Sequence, residues 1–155
     1  MPETANDRDV QLAGIIEAHR DTEGAALAVL LAVQAEYGHV PRDAVPRIAQ
    51  ALNLSRAELH GVLTFYHDLR TEPAGRHVLK LCRAEACQSL GAEAVAARAL
   101  ARVPGWGETT PDGRLTVEPA FCLGLCASGP AMMIDGVPYA RLTPERLDAI
   151  LEGVA

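Results

Sequence analysis

In the first half of the chain the hydrophobic positions recur at helical spacing. Val10, Ala13, Ile16 and Glu17 follow that period before a polar turn at His19 to Glu23. Ala25 to Tyr37 is a run of strong helix formers, and Gly38 stands where such a helix needs a left-handed stop. Val40-Pro41 reopens the chain, and Asp43 is placed to cap a short helix that turns Val45, Ile48, Ala49 and Leu52 inward. Ser55-Arg56-Ala57-Glu58 has the spacing of a capping box, in which the serine accepts from the amide three residues on and the glutamate reaches back. The helix it opens would carry Leu59, Val62, Leu63 and Tyr66. Four short helices with tight turns predict a small bundle over residues 8–72.

The period changes after the Pro73-Ala74-Gly75 break. His77 to Leu81 reads as a short strand running into Cys82, and Ala92 to Ala101 as an alanine-rich helix. Thr110-Pro111-Asp112-Gly113 is a turn, followed by a strand at Leu115-Thr116-Val117 that leads to Cys122. Ala131 to Ile134 and Val137 to Ala140 form a hairpin around Asp135-Gly136. Thr143-Pro144-Glu145 opens a last helix, with threonine as cap and proline in the first turn. Residues 76–155 therefore predict a small α/β domain, and the chain as a whole an α+β protein.

Composition narrows the function. The 155 residues are 49% hydrophobic and 22% charged, ordinary for a packed globule rather than a disordered chain. A net charge of −6 and 4% aromatics give neither the basic footprint nor the stacking platform of a nucleic-acid binder. Ala-Leu-Asn-Leu-Ser between two helices fits a helix-turn-helix superficially, but the acidic surroundings favour plain helix packing. Residues 25–33, the most apolar stretch, are too short to insert into a bilayer, and the N-terminus lacks the basic and apolar regions of a secretory leader. A cytoplasmic setting is expected, where thiols stay reduced.

That makes the cysteines the informative feature. All four lie after residue 75, spaced Cys82-x4-Cys87, then thirty-four residues, then Cys122-x3-Cys126. Each pair is expected in a loop after a strand, aimed at one volume. Tetrahedral zinc, an iron–sulfur cluster and two disulfides are the candidates. Neither pair has the C-x2-C spacing common in zinc knuckles, and a two-iron body suits wider spacing. The glycines of Cys122-Leu123-Gly124-Leu125-Cys126-Ala127-Ser128-Gly129-Pro130 would let backbone amides approach the sulfurs. Arg83, beside Cys82, is placed to offset the negative charge of four thiolates.

The rest of the chain offers little chemistry. His60 and His67 are expected on one helix face as surface or core polar residues, and Trp106 in a loop-packing role. No glycine-rich nucleotide cradle, nucleophile elbow or carboxylate pair is present, so no catalytic residue is assigned.

Gly61-Val62-Leu63-Thr64-Phe65-Tyr66, the C-x4-C pair and the later C-L-G-x-C together resemble the thioredoxin-like [2Fe–2S] ferredoxin family over residues 20–152. Its members include the 24 kDa subunit of NADH:quinone oxidoreductase, the diaphorase subunit of NAD-reducing hydrogenases and the gamma subunit of NAD-dependent formate dehydrogenase. The resemblance implies a thioredoxin-like fold for residues 76–155 and one [2Fe–2S] cluster on Cys82, Cys87, Cys122 and Cys126. It further implies docking against a flavin- and NAD-binding beta-type subunit that holds FMN. Leu79 to Gln88 and His19 to Gly24 are similar to formate dehydrogenase gamma chains, which adds an alpha subunit carrying the molybdenum cofactor as a partner. Leu90 before Gly91 departs from the basic residue usual there in the respiratory 24 kDa proteins. A zinc-stabilised binding module is the alternative of a different class.

Overall fold

The computed structural model describes residues 5–154. Residues 1–4, part of the stretch read for a leader, and residue 155, the end of the second predicted domain, lie outside the described residues. The chain divides into two compact units, one ending at Pro73 and the other beginning at Ala74.

The first unit is four helices: α1 (Ala5–His19), α2 (Ala25–Tyr37), α3 (Ala44–Ala51) and α4 (Arg56–Phe65). The inward stripe of α1 passes through Leu12 and Ile16, and Val10 is 65% exposed, so the stripe is rotated from the Val10-Ala13-Ile16-Glu17 series. Both series have helical spacing; only the neighbouring helices decide which one is covered. Gly38 ends α2 at φ +75, its amide donating to the Gln34 carbonyl, as a left-handed stop requires.

Asp43 precedes α3 but makes no side-chain cap; its backbone is already helical, and the Ala44 amide bonds to the Pro41 carbonyl instead. Ala44, Ile48 and Ala49 are buried in α3, while Val45 and Leu52 are only half-buried. The capping box of α4 is complete: the Glu58 amide donates to Ser55 Oγ (3.1 Å) and the Ser55 amide to Glu58 Oε2 (2.8 Å). Leu59 and Leu63 point inward. Tyr66 does not, because the chain leaves the helix there in an extended conformation and turns its ring outward, edge-on to the exposed Phe65.

The second unit contains β1 (His77–Cys82), α5 (Glu85–Ser89), α6 (Ala92–Leu100), β2 (Leu115–Ala120), β3 (Met132–Ile134), β4 (Val137–Tyr139) and α7 (Pro144–Gly153). The sheet order is β2-β1-β3-β4. β1 and β2 run parallel, joined through α5 and α6, with His77 opposite Leu115 and Cys82 opposite Ala120. β3 is antiparallel to β1 and to β4. Pro119 and Pro138 lie on the two edge strands, where a missing amide breaks no ladder. That is why β2 continues past Val117 despite its proline. Leu79, Leu81, Val117, Met132 and Ile134 face Val95, Ala96 and Ala99 of α6 and Leu147 and Leu151 of α7, forming the core of this unit.

The hairpin turn places Asp135 at φ +48 and Gly136 at φ +84, the left-handed pair of a tight two-residue connection. The Asp135 carboxylate then accepts the Val78 amide (2.8 Å) and lies 2.6 Å from His77 Nδ1, tying the turn to the start of β1. Thr143 caps α7 by accepting the Arg146 amide, with Pro144 in the first turn.

Candidate metal centre

Cys82 is the last residue of β1, and its amide donates to the Ala131 carbonyl (3.0 Å) just before β3. The next amide, of Arg83, donates to Ala120 at the end of β2 (2.6 Å), so the strand tip is held on both sides. Four residues later the chain has turned into α5, which carries Cys87. The sequence suggested a loop for this pair; a short helix forms instead, because Ala84 accepts the amides of Cys87 and Gln88 and closes a helical turn. Cys82 and Cys87 are both 1% exposed.

The second pair follows β2. Cys122 sits at φ +110, a backbone region that side-chain-bearing residues rarely adopt, and Gly124 at φ +74. Together they fold the chain back so that the Gly124 amide donates to Cys122 Sγ (3.4 Å) and the sulfurs of Cys122 and Cys126 lie 3.9 Å apart. Both cysteines are exposed, and all four thiols are free. The disulfide alternative is therefore not realised in this structure.

The two loops meet at the sulfurs. Backbone amides of Leu123 and Cys122, in the second loop, hydrogen-bond to the Cys82 sulfur in the first, alongside the Ala84 amide and the Cys87 thiol. Burial pushes the Cys82 thiol up, but these donors outweigh it and leave the group below the ordinary thiol range. Cys87 is pushed up, first by burial and then by Cys82, with only the Ala131 amide opposing. Cys126 is pushed up by the hydrogen bond and charge of Cys122. Crowded sulfurs of this kind cannot all ionise unaided; a bound cation removes that conflict and strips the remaining protons.

A four-coordinate metal with sulfur bonds of about 2.3 Å holds its ligands about 3.8 Å apart, which the 3.9 Å pair already matches. Among the described residues, however, no three His, Cys, Asp or Glu side chains close on one point as a single ion requires. Gly129 adds to the fit: a Cβ there would lie 3.3 Å from Cys87 Sγ and 3.0 Å from Leu90 Cδ1, so the loop needs a bare backbone beside the sulfur.

Arg83 is 20% exposed, with Nη2 at 2.8 Å from Glu93 and its guanidinium 5.4 Å from the Trp106 ring centre. Its Nη1 is buried without a hydrogen-bond partner. Sequence reasoning placed Arg83 beside the sulfurs but missed the Trp106 face that holds it, since nothing local links positions so far apart. His60 and His67 do not share a helix face: α4 ends at Phe65, and both histidines are exposed. No helix among the described residues is long and apolar enough to cross a membrane.

The tip of β1, helix α5 and the loop after β2 carry the four cysteines of a small α/β scaffold, with amides of the later loop directed at the Cys82 sulfur. Residues 12–155 match the thioredoxin-like [2Fe-2S] ferredoxin family, and the chain belongs to it. Its cofactor is accordingly a [2Fe–2S] cluster. The chain is 39% identical to one subunit of the NADH-quinone oxidoreductase of Escherichia coli (strain K12) over 137 residues, covering 86% of this chain and 81% of that protein. It is 33% identical to the NAD-reducing hydrogenase HoxS subunit alpha of Cupriavidus necator, covering 92% of this chain and 24% of that longer one. A crystal structure of an NAD+-reducing [NiFe]-hydrogenase in the air-oxidised state superposes with a TM-score of 0.65 at 28% identity, over 81% of this chain and 22% of that one.

Proposed function

We propose that Cys82, Cys87, Cys122 and Cys126 together hold the single [2Fe–2S] cluster, and that the chain is an electron-transfer subunit of an NADH-dehydrogenase-like oxidoreductase complex. The observation that carries this is the pair of amides, from Leu123 and Cys122, directed at the sulfur of Cys82 across the two loops. An iron–sulfur cluster supplies one-electron capacity, which hydride chemistry at a nicotinamide lacks. The chain's own part is to hold and tune. Cys82 and Cys87 anchor the site in the interior, Cys122 and Cys126 bring it to the surface, and the amides of Ala84, Leu123, Gly124 and Ala131 favour negative charge on the sulfurs.

The partners follow from this reading: a flavin- and NAD-binding beta-type subunit whose FMN exchanges electrons with this chain, in the cytoplasm. The finer assignment is the gamma subunit of a formate dehydrogenase, with an alpha subunit holding the molybdenum cofactor. It is supported by Leu79 to Gln88, His19 to Gly24 and the apolar Leu90 before Gly91. The 39% identity to a NADH-quinone oxidoreductase subunit favours a second reading, the respiratory NADH:quinone oxidoreductase.

Anaerobic purification tests both levels. Red-brown protein with about two irons and two acid-labile sulfides, giving an EPR signal on reduction, is expected; colourless protein with one zinc overturns the cluster assignment. Co-purification with a molybdenum-containing, formate-oxidising chain supports the first complex, and with membrane quinone-reducing subunits the second.

A further inference from the structure

The residue after Cys82 is an arginine that the fold keeps largely covered. The Arg83 side chain is 20% exposed, whereas that of its ion-pair partner Glu93 is 73% exposed. Its backbone is pinned on both sides. The amide donates to the Ala120 carbonyl at the tip of β2 (2.6 Å), and the carbonyl accepts from the side-chain amide of Gln88 (2.6 Å), the residue after Cys87. The guanidinium is then held twice over: Nη2 lies 2.8 Å from Glu93, and the group sits 5.4 Å from the centre of the Trp106 ring.

Both holders belong to the frame of the site. Glu93 stands in the first turn of α6, directly after Ala92, which packs with Cys82, Cys87 and Ala131. Trp106 rests against the core of this unit, and its loop is tied to β2 by the Gly107 amide on the Val117 carbonyl (2.7 Å) and the Val117 amide on the Glu108 carbonyl (3.2 Å). Nη1 of Arg83 is buried and has no hydrogen-bond partner among the described residues. A buried donor left unmatched is costly, and a surface ion pair alone is too weak to keep a side chain there. Glu93 therefore engages the outer part of the guanidinium, while the inner part keeps a positive field in the interior, where water screens it less.

We propose that Trp106 is a positioning residue for the potential of the site: it holds the Arg83 charge beside Cys82, and Glu93 is the counterweight that limits it. A reduced cluster carries one more negative charge than an oxidised one, so a fixed cation nearby favours reduction. Trp106 keeps that cation from swinging out to water, and the exposed carboxylate subtracts from its field. The proposal rests on the [2Fe–2S] reading of the four cysteines.

The test reconstitutes the full chain anaerobically with iron and sulfide and titrates it reductively by EPR. Arg83→Gln is expected to shift the reduction equilibrium toward the oxidised state about tenfold, which is about 59 mV for one electron. Trp106→Leu is expected to shift it the same way about threefold or more, and Trp106→Phe, which keeps an aromatic face, to recover most of that loss. Glu93→Gln is expected to shift it about threefold the other way. Beside Arg83→Gln, Trp106→Leu is expected to add nothing, because its effect passes through the guanidinium. Trp106 is the only tryptophan in the chain, so its emission reads the contact without any iron, and Arg83→Gln is expected to move it to the red in the metal-free chain. Arg83→Gln and Glu93→Gln alter no core side chain, so they decide the case should Trp106→Leu fail to fold. An unmoved potential or unmoved emission in Arg83→Gln, a lowered potential in Glu93→Gln, or a Trp106→Leu shift that persists in full beside Arg83→Gln overturns the proposal. A natural chain that takes up no iron and sulfide refutes the cluster reading and the proposal with it, whereas full loading with unmoved potentials refutes the proposal alone.

Discussion

Gly129→Ala probes the packing of the site without touching a sulfur. At φ −63 and ψ 167 the position is open to any residue, so the native backbone adds no strain and the crowding is set against glycine's lost freedom in the unfolded chain. The new methyl would lie 3.0 Å from Leu90 Cδ1 and 3.3 Å from Cys87 Sγ. Leu90 is 54% exposed and can swing away, whereas Cys87 is 1% exposed and packed under Ala131. The sulfur or the loop must therefore give by a few tenths of an ångström. Overpacking of this kind costs about 1–3 kcal/mol, and glycine's lost freedom in the unfolded chain offsets about 0.4–1 kcal/mol of it, which leaves a net loss of about 1 kcal/mol. In a unit of about 80 residues, 1 kcal/mol lowers the melting temperature by about 4–8 °C. Circular dichroism of the metal-free chain reads that shift, and iron per chain after anaerobic reconstitution reads the sulfur's displacement. An unchanged melting temperature together with full iron loading would refute the claim that this loop bears on Cys87.

The remaining predictions bear on other parts of the molecule. Ser55→Ala removes the hydroxyl that accepts the Glu58 amide while leaving the backbone amide of residue 55 to donate to Glu58, and should lower stability by about 1 kcal/mol in urea unfolding; no loss would mean that water caps the helix as well. Burial pushes the Asp135 carboxyl up, but the His77 ring and the Val78 amide pull it further down, so it ends below the ordinary range. A carboxylate depressed on folding stabilises above its unfolded value, about pH 4, and loses that contribution as pH falls through the folded one. The stability gap between the natural chain and Asp135→Asn should thus be constant near neutrality and close under acid; a gap that widened there would contradict it. Arg83→Gln removes a cation next to Cys82 and should lower the midpoint potential in a redox titration; an unmoved potential would show that Glu93 already neutralises it.

Features encoded by adjacent residues were legible in the sequence. The capping box at Ser55, the stop at Gly38, the Asp135-Gly136 turn and the Thr143-Pro144 start each depend on a few neighbouring positions, and the structure contains all of them. Features decided by distant neighbours were not. Asp43 has the right residue type for a cap, but the backbone turn from Pro41 leaves its side chain unused. Tyr66 continues the apolar period of α4 on paper, yet the helix has ended by then. Pro119 reads as the end of a strand, and only the sheet order, which makes β2 an edge, permits the strand to pass through it.

At the site the spacing of the cysteines already separated them into two pairs. What it could not supply was their difference in burial, because exposure of Cys122 and Cys126 depends on the left-handed backbone at Cys122 and Gly124. Nor could it supply the Arg83–Trp106 contact, which joins the end of β1 to a loop between α6 and β2. Fold class and chemistry were readable; the asymmetry of the site was not.

The most direct measurement is anomalous scattering at the iron edge from anaerobically grown crystals of the full chain. Two iron peaks are predicted, one bonded to Cys82 and Cys87 and the other to Cys122 and Cys126. A single peak at the zinc edge, or iron bonded to fewer than these four sulfurs, would contradict the account.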